Sequence, residues 1–147
     1  MHKTFLLVDD DSDDRELFMA ALRNVAPAFN CICFKNGFEA IQQLKTSAAV
    51  DLVFLDLNMP VMDGWECIKR LKRDDLLKDI PVVIYTTSSN ERDILQAKVL
   101  GAKCFFIKPD DFATLNNVLR IITEKLDGDC FGPIARTREQ RHLECFY

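Results

Sequence analysis

Charged side chains directly follow three short apolar runs of this chain, and they are the residues best suited to chemistry. In chain order they are Asp9, Asp10 and Asp11, then Asp56, then Lys108. Carboxylates gathered in a partly desolvated pocket repel one another unless a cation neutralises them. Such oxygen ligands select a hard divalent ion, and a few carboxylates completed by water suit Mg²⁺. The residues therefore predict a divalent-ion site.

Lys108 directly precedes Pro109 at the end of an apolar run. A residue before proline is held in an extended or turn conformation, which can aim its side chain inward. The ordinary alternative is a surface salt bridge, but the nearby aspartates favour a functional role.

Other ion and cofactor sites fit the sequence less well. Asp9, Asp11 and Asp13 have the spacing of an EF-hand loop, but Asp14 stands at the required glycine and Ala20 at the closing glutamate. An FMN site needs a Ser/Thr/Gly-rich phosphate loop after the first strand, and this acidic loop would repel the flavin phosphate. We interpret residues 11–14 as the acidic first turn of a helix, with a capping role only.

Two histidines, His2 and His142, lie near the two ends of the chain. A Ser-His-Asp triad or a histidine-rich zinc site within the fold therefore lacks an imidazole. The six cysteines form no C-x-x-C pair, and we expect reduced thiols in the core.

The elements that must position the charged residues follow from hydrophobic patterning. The continuous apolar runs predict strands buried on both faces of a parallel sheet, and they span 5–8, 31–34, 52–55, 82–85 and 104–107. Helical apolar stripes lie after each run, and the fourth ends at Gly101, a natural C-cap. Strict alternation predicts an α/β, doubly wound sheet, whose ligand site lies beyond the carboxyl ends of its strands.

Length and composition fit one domain of 147 residues, with net charge −4 and 48% hydrophobic residues. We expect no nucleic-acid binding, because no global basic field exists. We also expect no membrane segment and a cytoplasmic location. The predicted domain covers 1–126, and 127–147 is a tail that is either disordered or a packing arm.

The segments FLLVDDD, LVFLDLNMPVMDGWE, PVVIYTTS and CFFIKPDD resemble the receiver domain of two-component response regulators over residues 4–126. The resemblance implies a flavodoxin-like (βα)5 fold with strand order 2-1-3-4-5. It also implies that Asp56 accepts a phosphoryl group from a histidine kinase or phosphotransfer protein. Asp9, Asp10 and Asp56, with the backbone carbonyl of Asn58, would then hold Mg²⁺.

The same resemblance assigns the remaining site residues. It gives the Thr86 hydroxyl, the Thr87 backbone amide and Lys108 contacts to the phosphoryl group, and it makes Thr86 and Phe105 a switch pair. Asn58 and Ser88 occupy positions that modulate dephosphorylation. The acidic start DDDSDDRELF, with a tail beyond the fifth helix, also looks like single-domain regulators of phytochrome-type sensor kinases.

We therefore predict a stand-alone, Mg²⁺-dependent response regulator that catalyses only its own phosphorylation and dephosphorylation. Its output would leave through the face of the fourth helix, fifth strand and fifth helix, toward a protein target or a second copy. One alternative is a metal-dependent phosphatase acting through an aspartyl-phosphate, which usually has a second acid where this chain has Asn58. Another is a pseudo-receiver scaffold that needs no phosphorylation.

Overall fold

A computed structural model describes residues 3–46, 49–127 and 142–146 of the chain. The elements in chain order are β1 (Thr4–Val8), α1 (Ser12–Val25), β2 (Asn30–Phe34), α2 (Gly37–Thr46), β3 (Leu52–Leu55), α3 (Gly64–Arg73), β4 (Val82–Thr86), α4 (Glu91–Val99), β5 (Cys104–Ile107), α5 (Phe112–Asp127) and β6 (Leu143–Cys145). Strand and helix alternate from β1 to α5, as the apolar runs predict.

The strands form a single sheet in the order β2-β1-β3-β4-β5-β6. The first five are parallel, so the predicted α/β fold and the order 2-1-3-4-5 are confirmed. Their carboxyl ends lie at one edge of the sheet, where β1 and β3 are direct neighbours with Val8 opposite Leu55.

Apolar side chains cover both faces of the sheet. One core contains Leu6, Val53 and Ile84, and the other contains Phe5, Phe54 and Val83. Every residue of β3 and β4 is buried, which explains their uninterrupted apolar sequences. The expectation of burial on both faces is wrong for β2, which is the edge strand and leaves Ile32 39% exposed.

Side-chain caps begin the helices that border the carboxyl edge. Asp11 caps α1 by accepting hydrogen bonds from the amides of Asp13 and Asp14, and Asp63 caps α3 through the amide of Glu66. Gly101 follows α4 with φ +95°, as its predicted capping role requires. None of the helices in the described ranges has the length and apolar character that crossing a membrane requires.

The chain adds a sixth strand that the sequence patterning did not predict. β6 pairs antiparallel with β5, placing Glu144 opposite Phe105, and Phe146 packs against the core that contains Phe105. Residues 128–141 and 147 of the predicted tail lie outside the described residues.

The expectation that all cysteines are reduced is wrong for two of them. Cys104 on β5 and Cys145 on β6 form a disulfide, because the antiparallel pairing sets them opposite each other. Among the described residues, Cys31, Cys33 and Cys67 are free thiols. Cys130 lies outside the described residues.

Candidate functional site

Three carboxylates converge at the carboxyl edge of the sheet. Asp9, Asp10 and Asp56 each offer an oxygen, and these oxygens all lie within 4.8 Å of one another. Asp9 is fully buried and Asp56 is 6% exposed, whereas Asp10 is exposed. The predicted convergence of acids from neighbouring strands is present.

Backbone pairing fixes the two buried aspartates beside each other. The Asp56 amide donates to the Val8 carbonyl at 2.9 Å, and the Asp9 amide donates to the Phe34 carbonyl at 3.0 Å. Both residues therefore continue the hydrogen bonding of their strands by one position. Arg15 adds positive charge here, because its guanidinium donates to the Asp9 carbonyl at 2.7 Å.

Lys108 lies among these acids. Its Nζ is 2.8 Å from Asp9 Oδ2, 2.7 Å from Asp14 Oδ2 and 3.5 Å from Asp56 Oδ2. The Lys108 amide donates to the Thr86 carbonyl at 2.7 Å, which fixes the backbone before Pro109. The inward orientation expected for this side chain is therefore present, and its side chain is only 8% exposed.

Asp14 is a site residue that the sequence analysis missed. We interpreted it as part of the acidic cap, but its carboxylate accepts a hydrogen bond from Lys108 and is 31% exposed. A signal was available, because Asp14 precedes Phe18 by four residues and Ala21 by seven. It therefore continues the buried face of α1 toward the sheet edge.

Burial and charge set the protonation of this cluster. Burial raises the pKa of Asp56 to about 6, although Lys108 works to lower it. Burial likewise raises the pKa of Asp9. Burial of the Lys108 ammonium works to lower its pKa, but the hydrogen bonds with Asp14 and Asp9 and the charge of Asp56 outweigh this and raise it.

The acids fit a cation in addition to Lys108. Asp9 Oδ2 is buried, and it lies 2.8 Å from the Lys108 ammonium. Asp9, Asp10 and Asp56 offer three carboxylate oxygens, and Asp10 is exposed. This donor set suits a hard divalent ion completed by water.

The loop from Leu57 to Gly64 closes tightly over Asp56. The Met62 amide donates to the Pro60 carbonyl at 2.7 Å, so Val61 is the centre of a γ-turn with φ 69°. A Cβ on Gly64 would lie 2.7 Å from the Leu57 Cα and closer still to the Asp56 carbonyl oxygen. Only glycine allows this approach. Asn58 is exposed within the loop.

The other predicted residues lie on β4 and β5. Thr86 is fully buried, and its hydroxyl accepts from the Ser88 amide at 3.3 Å, while Thr87 is exposed. Ser88 donates its hydroxyl to Asp93 on α4 at 2.6 Å. Phe105 is buried, at 1% exposure, so any rearrangement of this predicted switch residue would begin from a packed position.

Comparison with known proteins identifies relatives across most of the chain. The family model described as the response regulator receiver domain matches residues 5–120. Response regulator Rcp1 from Synechocystis sp. is 34% identical over 112 residues, which are 72% of this chain and 76% of Rcp1.

Solved structures agree with this relationship. The crystal structure of the phosphorylated cyanobacterial phytochrome response regulator RcpA has a TM-score of 0.81 and 32% identity, covering 88% of this chain and 97% of that one. The Mn²⁺-bound form of Rcp1 has a TM-score of 0.74 and 31% identity, covering 83% and 92%. The sheet order, the acidic residues at its carboxyl edge and these relatives all agree. The chain belongs to the response regulator receiver domain family.

Proposed function

We propose that this chain is a Mg²⁺-dependent phosphoacceptor whose phosphorylated residue is Asp56. The observation that carries the proposal is a buried carboxylate with an ammonium 3.5 Å away and two further acids beside it. Phosphoryl transfer needs an oxygen nucleophile and positive charge around the phosphoryl oxygens. Asp56 supplies the nucleophile, and Lys108 supplies part of the charge.

The residues proposed to hold the metal are Asp9, Asp10 and Asp56, with the backbone carbonyl of Asn58. When bound, Mg²⁺ would supply positive charge to the phosphoryl oxygens and orient them. The Mn²⁺-bound form of Rcp1, a relative, supports the binding of a divalent ion by this chain. The three carboxylates that converge at the sheet edge give the same indication in this chain.

This chain's own groups hold the acceptor in position. The Leu57 amide donates to Asp56 Oδ1 at 2.8 Å, while Oδ2 lies on the side of Lys108. We propose that the Thr86 hydroxyl and the Thr87 amide donate to the phosphoryl group. Thr86 is the last residue of β4 and Thr87 follows it, and β4 lies beside β3, which Asp56 follows.

We propose a histidine kinase or phosphotransfer protein as the phosphoryl donor, and a phytochrome-type sensor kinase as the first candidate. RcpA, a similar protein, is a phytochrome response regulator whose structure is phosphorylated, and this supports the choice. The proposed output is a change in the face formed by α4, β5 and α5, which would bind a protein target or a second copy.

The test is intact mass spectrometry after incubation with Mg²⁺ and a small phosphodonor such as acetyl phosphate. We expect one phosphoryl increment in the wild type and none in Asp56→Asn. Asp75→Asn is the matched control, because the Asp75 side chain is 94% exposed and lies outside the acidic cluster. An undiminished increment in Asp56→Asn would overturn the assignment.

An assay with a generic phosphomonoester distinguishes this proposal from the alternative of a metal-dependent phosphatase. We expect no turnover of such a substrate, because Asn58 provides no acid for a leaving group two residues after Asp56. Sustained turnover that depends on Asp56 would favour the phosphatase instead.

A further inference from the structure

Three sulfur atoms lie together on the β2 side of the sheet. Cys31 Sγ is 4.0 Å from Cys33 Sγ, and the Cys33 thiol donates to the Met19 thioether at 3.4 Å. Neither cysteine is among the disulfide-bonded residues. The proposed phosphoryl chemistry does not use any of these three side chains.

The fold brings them together by simple periodicity. Cys31 and Cys33 are two residues apart on β2, so both side chains point to the same face of the sheet. Both pack against the core that lies under α1. Met19, on α1, reaches down to the same place.

We propose that Met19, Cys31 and Cys33 form a binding site for a thiophilic monovalent ion, with Cu(I) as the best match. Thiolate and thioether sulfurs are soft ligands of the kind that select Cu(I). With metal–sulfur bonds of about 2.3 Å, a planar three-coordinate site separates its sulfurs by about 4 Å. The Cys31–Cys33 separation already has this value. The flexible thioether of Met19 needs to retreat by about half an ångström.

The ligand count argues against zinc. Structural zinc sites are almost always four-coordinate, with cysteine, histidine or carboxylate ligands. In the described ranges, the acidic edge is the one place where three such groups gather, so no imidazole or carboxylate joins Cys31 and Cys33. Cu(I) is satisfied by the three sulfurs present.

The site is also accessible. A surface cleft of about 240 Å³ is lined by Met19 and Cys31, together with Leu22, Arg23 and Phe29. It gives an ion a route to two of the three sulfurs. Binding would release the two thiol protons to solvent and leave one net negative charge on the bis-thiolate complex. The positive charge of Arg15, which acts on the Cys33 thiol, offsets part of that charge.

The test is an anaerobic competition between the full chain and a chromogenic Cu(I) chelator. Ascorbate maintains Cu(I) without reducing the Cys104–Cys145 disulfide, and excess Mg²⁺ occupies the acidic edge. We expect the wild type to withdraw one Cu(I) per chain. Cys31→Ser and Cys33→Ser should lose this uptake. Met19→Leu should weaken it by about tenfold or more, since changing even a group that only orients a metal ligand costs this much.

Cys67→Ala is the matched control, because Cys67 is a free thiol buried in the opposite core. It should keep full Cu(I) uptake, and circular dichroism melts check that each variant is folded. X-ray absorption of the loaded wild type provides a measurement that needs no variant, and it should show three sulfur neighbours. Failure of the wild type to take Cu(I) from the chelator, full uptake by Cys33→Ser, or nitrogen and oxygen neighbours would each overturn the proposal.

Discussion

The ammonium of Lys108 lies closer to Asp14 than to Asp56, at 2.7 Å from Asp14 Oδ2 and 3.5 Å from Asp56 Oδ2. The lysine proposed to stabilise a phosphoryl group is therefore held on the side of α1. Moving it toward Asp56 requires the ion pair with Asp14 to lengthen or break. Hydrogen bonds between charged groups contribute about 1.5–3 kcal/mol, and less where water screens them.

Asp14→Asn should therefore increase phosphorylation of Asp56. The neutral amide holds Lys108 more weakly, so the ammonium becomes available to the phosphoryl group at a lower cost. Because Asp14 is 31% exposed, we expect an increase of only about threefold in the phosphorylated fraction at steady state. Intact mass after incubation with acetyl phosphate and Mg²⁺ measures it.

Asp13→Asn is the control for this experiment, because Asp13 is an exposed neighbour in the same helical turn. It should leave the phosphorylated fraction unchanged, and Lys108→Ala should lower it. An equal increase in Asp13→Asn would show that net charge, and not the ion pair with Lys108, is responsible.

Gly64→Ala should distort the loop over Asp56. The added Cβ would meet backbone atoms of Asp56 and Leu57, which cannot rotate away as a side chain can. We expect a loss of about 2 kcal/mol in the free energy of unfolding, together with a loss of phosphorylation. Urea denaturation and intact mass measure the two effects.

Gly37→Ala is the matched control, because the nearest atoms to its Cβ would be side-chain atoms of Cys67 and Met62, at 3.0 to 3.2 Å. The two sulfur atoms can rotate away, although the Cys67 Cβ cannot, so we expect a smaller loss of stability and normal phosphorylation. Equal losses of phosphorylation in both variants would contradict a specific role for the Gly64 approach.

The stability of the metal-free protein should depend on the protonation of Asp56. Burial raises the pKa of Asp56 from 3.8 to about 6, so the folded chain binds this proton more tightly than the unfolded chain. The resulting stabilisation is fully present below about pH 4 and is lost as the pH rises through about 6. Above that pH the buried charge opposes folding.

Asp56→Asn should therefore stabilise the metal-free protein at about pH 8, by at most about 3 kcal/mol, and much less at about pH 4. Thermal melts across this range in the presence of a chelator measure the effect. Asp75→Asn, at an exposed position, should change little at either pH. A gain for Asp56→Asn that is independent of pH would contradict the raised pKa as its cause.

Much of this site could be predicted because it depends on local sequence and strand topology. Asp9 and Asp56 each follow an uninterrupted apolar run, and parallel strands bring such ends together. Asp14 was harder, because a capping role accounts for an acid in the first turn without any tertiary contact. Leu17 shows the same limit of prediction from sequence, because it fits the apolar stripe of α1 and yet is 50% exposed.

β6 could not be predicted for a different reason. The strand has three residues, which is too short a run to show an alternating pattern. It also pairs with a distant part of the sequence, since the bonded cysteines of β5 and β6 are separated by 41 residues. Cysteine spacing alone does not fix a pairing, because contact depends on which strand edge is open.

The Cys104–Cys145 disulfide should stabilise the attachment of β6. The disulfide closes a loop across a sequence separation of 41 residues and so lowers the conformational entropy of the unfolded chain. In the chain-entropy model this stabilises the folded state by about 4 kcal/mol. We expect a lower melting temperature for Cys145→Ala than for the wild type under non-reducing conditions. Dithiothreitol should lower the melting temperature of the wild type to the same value and leave that of Cys145→Ala unchanged. A wild type insensitive to dithiothreitol would contradict this.

Phosphorylation should alter the packing of β5 against its neighbours. The Lys108 amide is bonded to the Thr86 carbonyl, and Thr86 lies opposite Ile107, so a displacement at the end of β4 is transmitted directly to β5. Phe105 is buried opposite Glu144 of β6, so any rearrangement of its ring also disturbs that strand. Such a change requires two discrete packings of β5, and the phosphoryl group must shift the balance between them.

Hydrogen exchange with and without beryllofluoride, a phosphoryl mimic, tests this coupling. We expect altered protection across residues 86–126 and also at 142–146, because β6 covers the strand that would move. Asp56→Asn treated in the same way is the control and should show no change. Unchanged protection across 86–126 in the wild type would contradict the switch. A change confined to Asp56 and the loop to Gly64 would mean that the output leaves by another face of the domain.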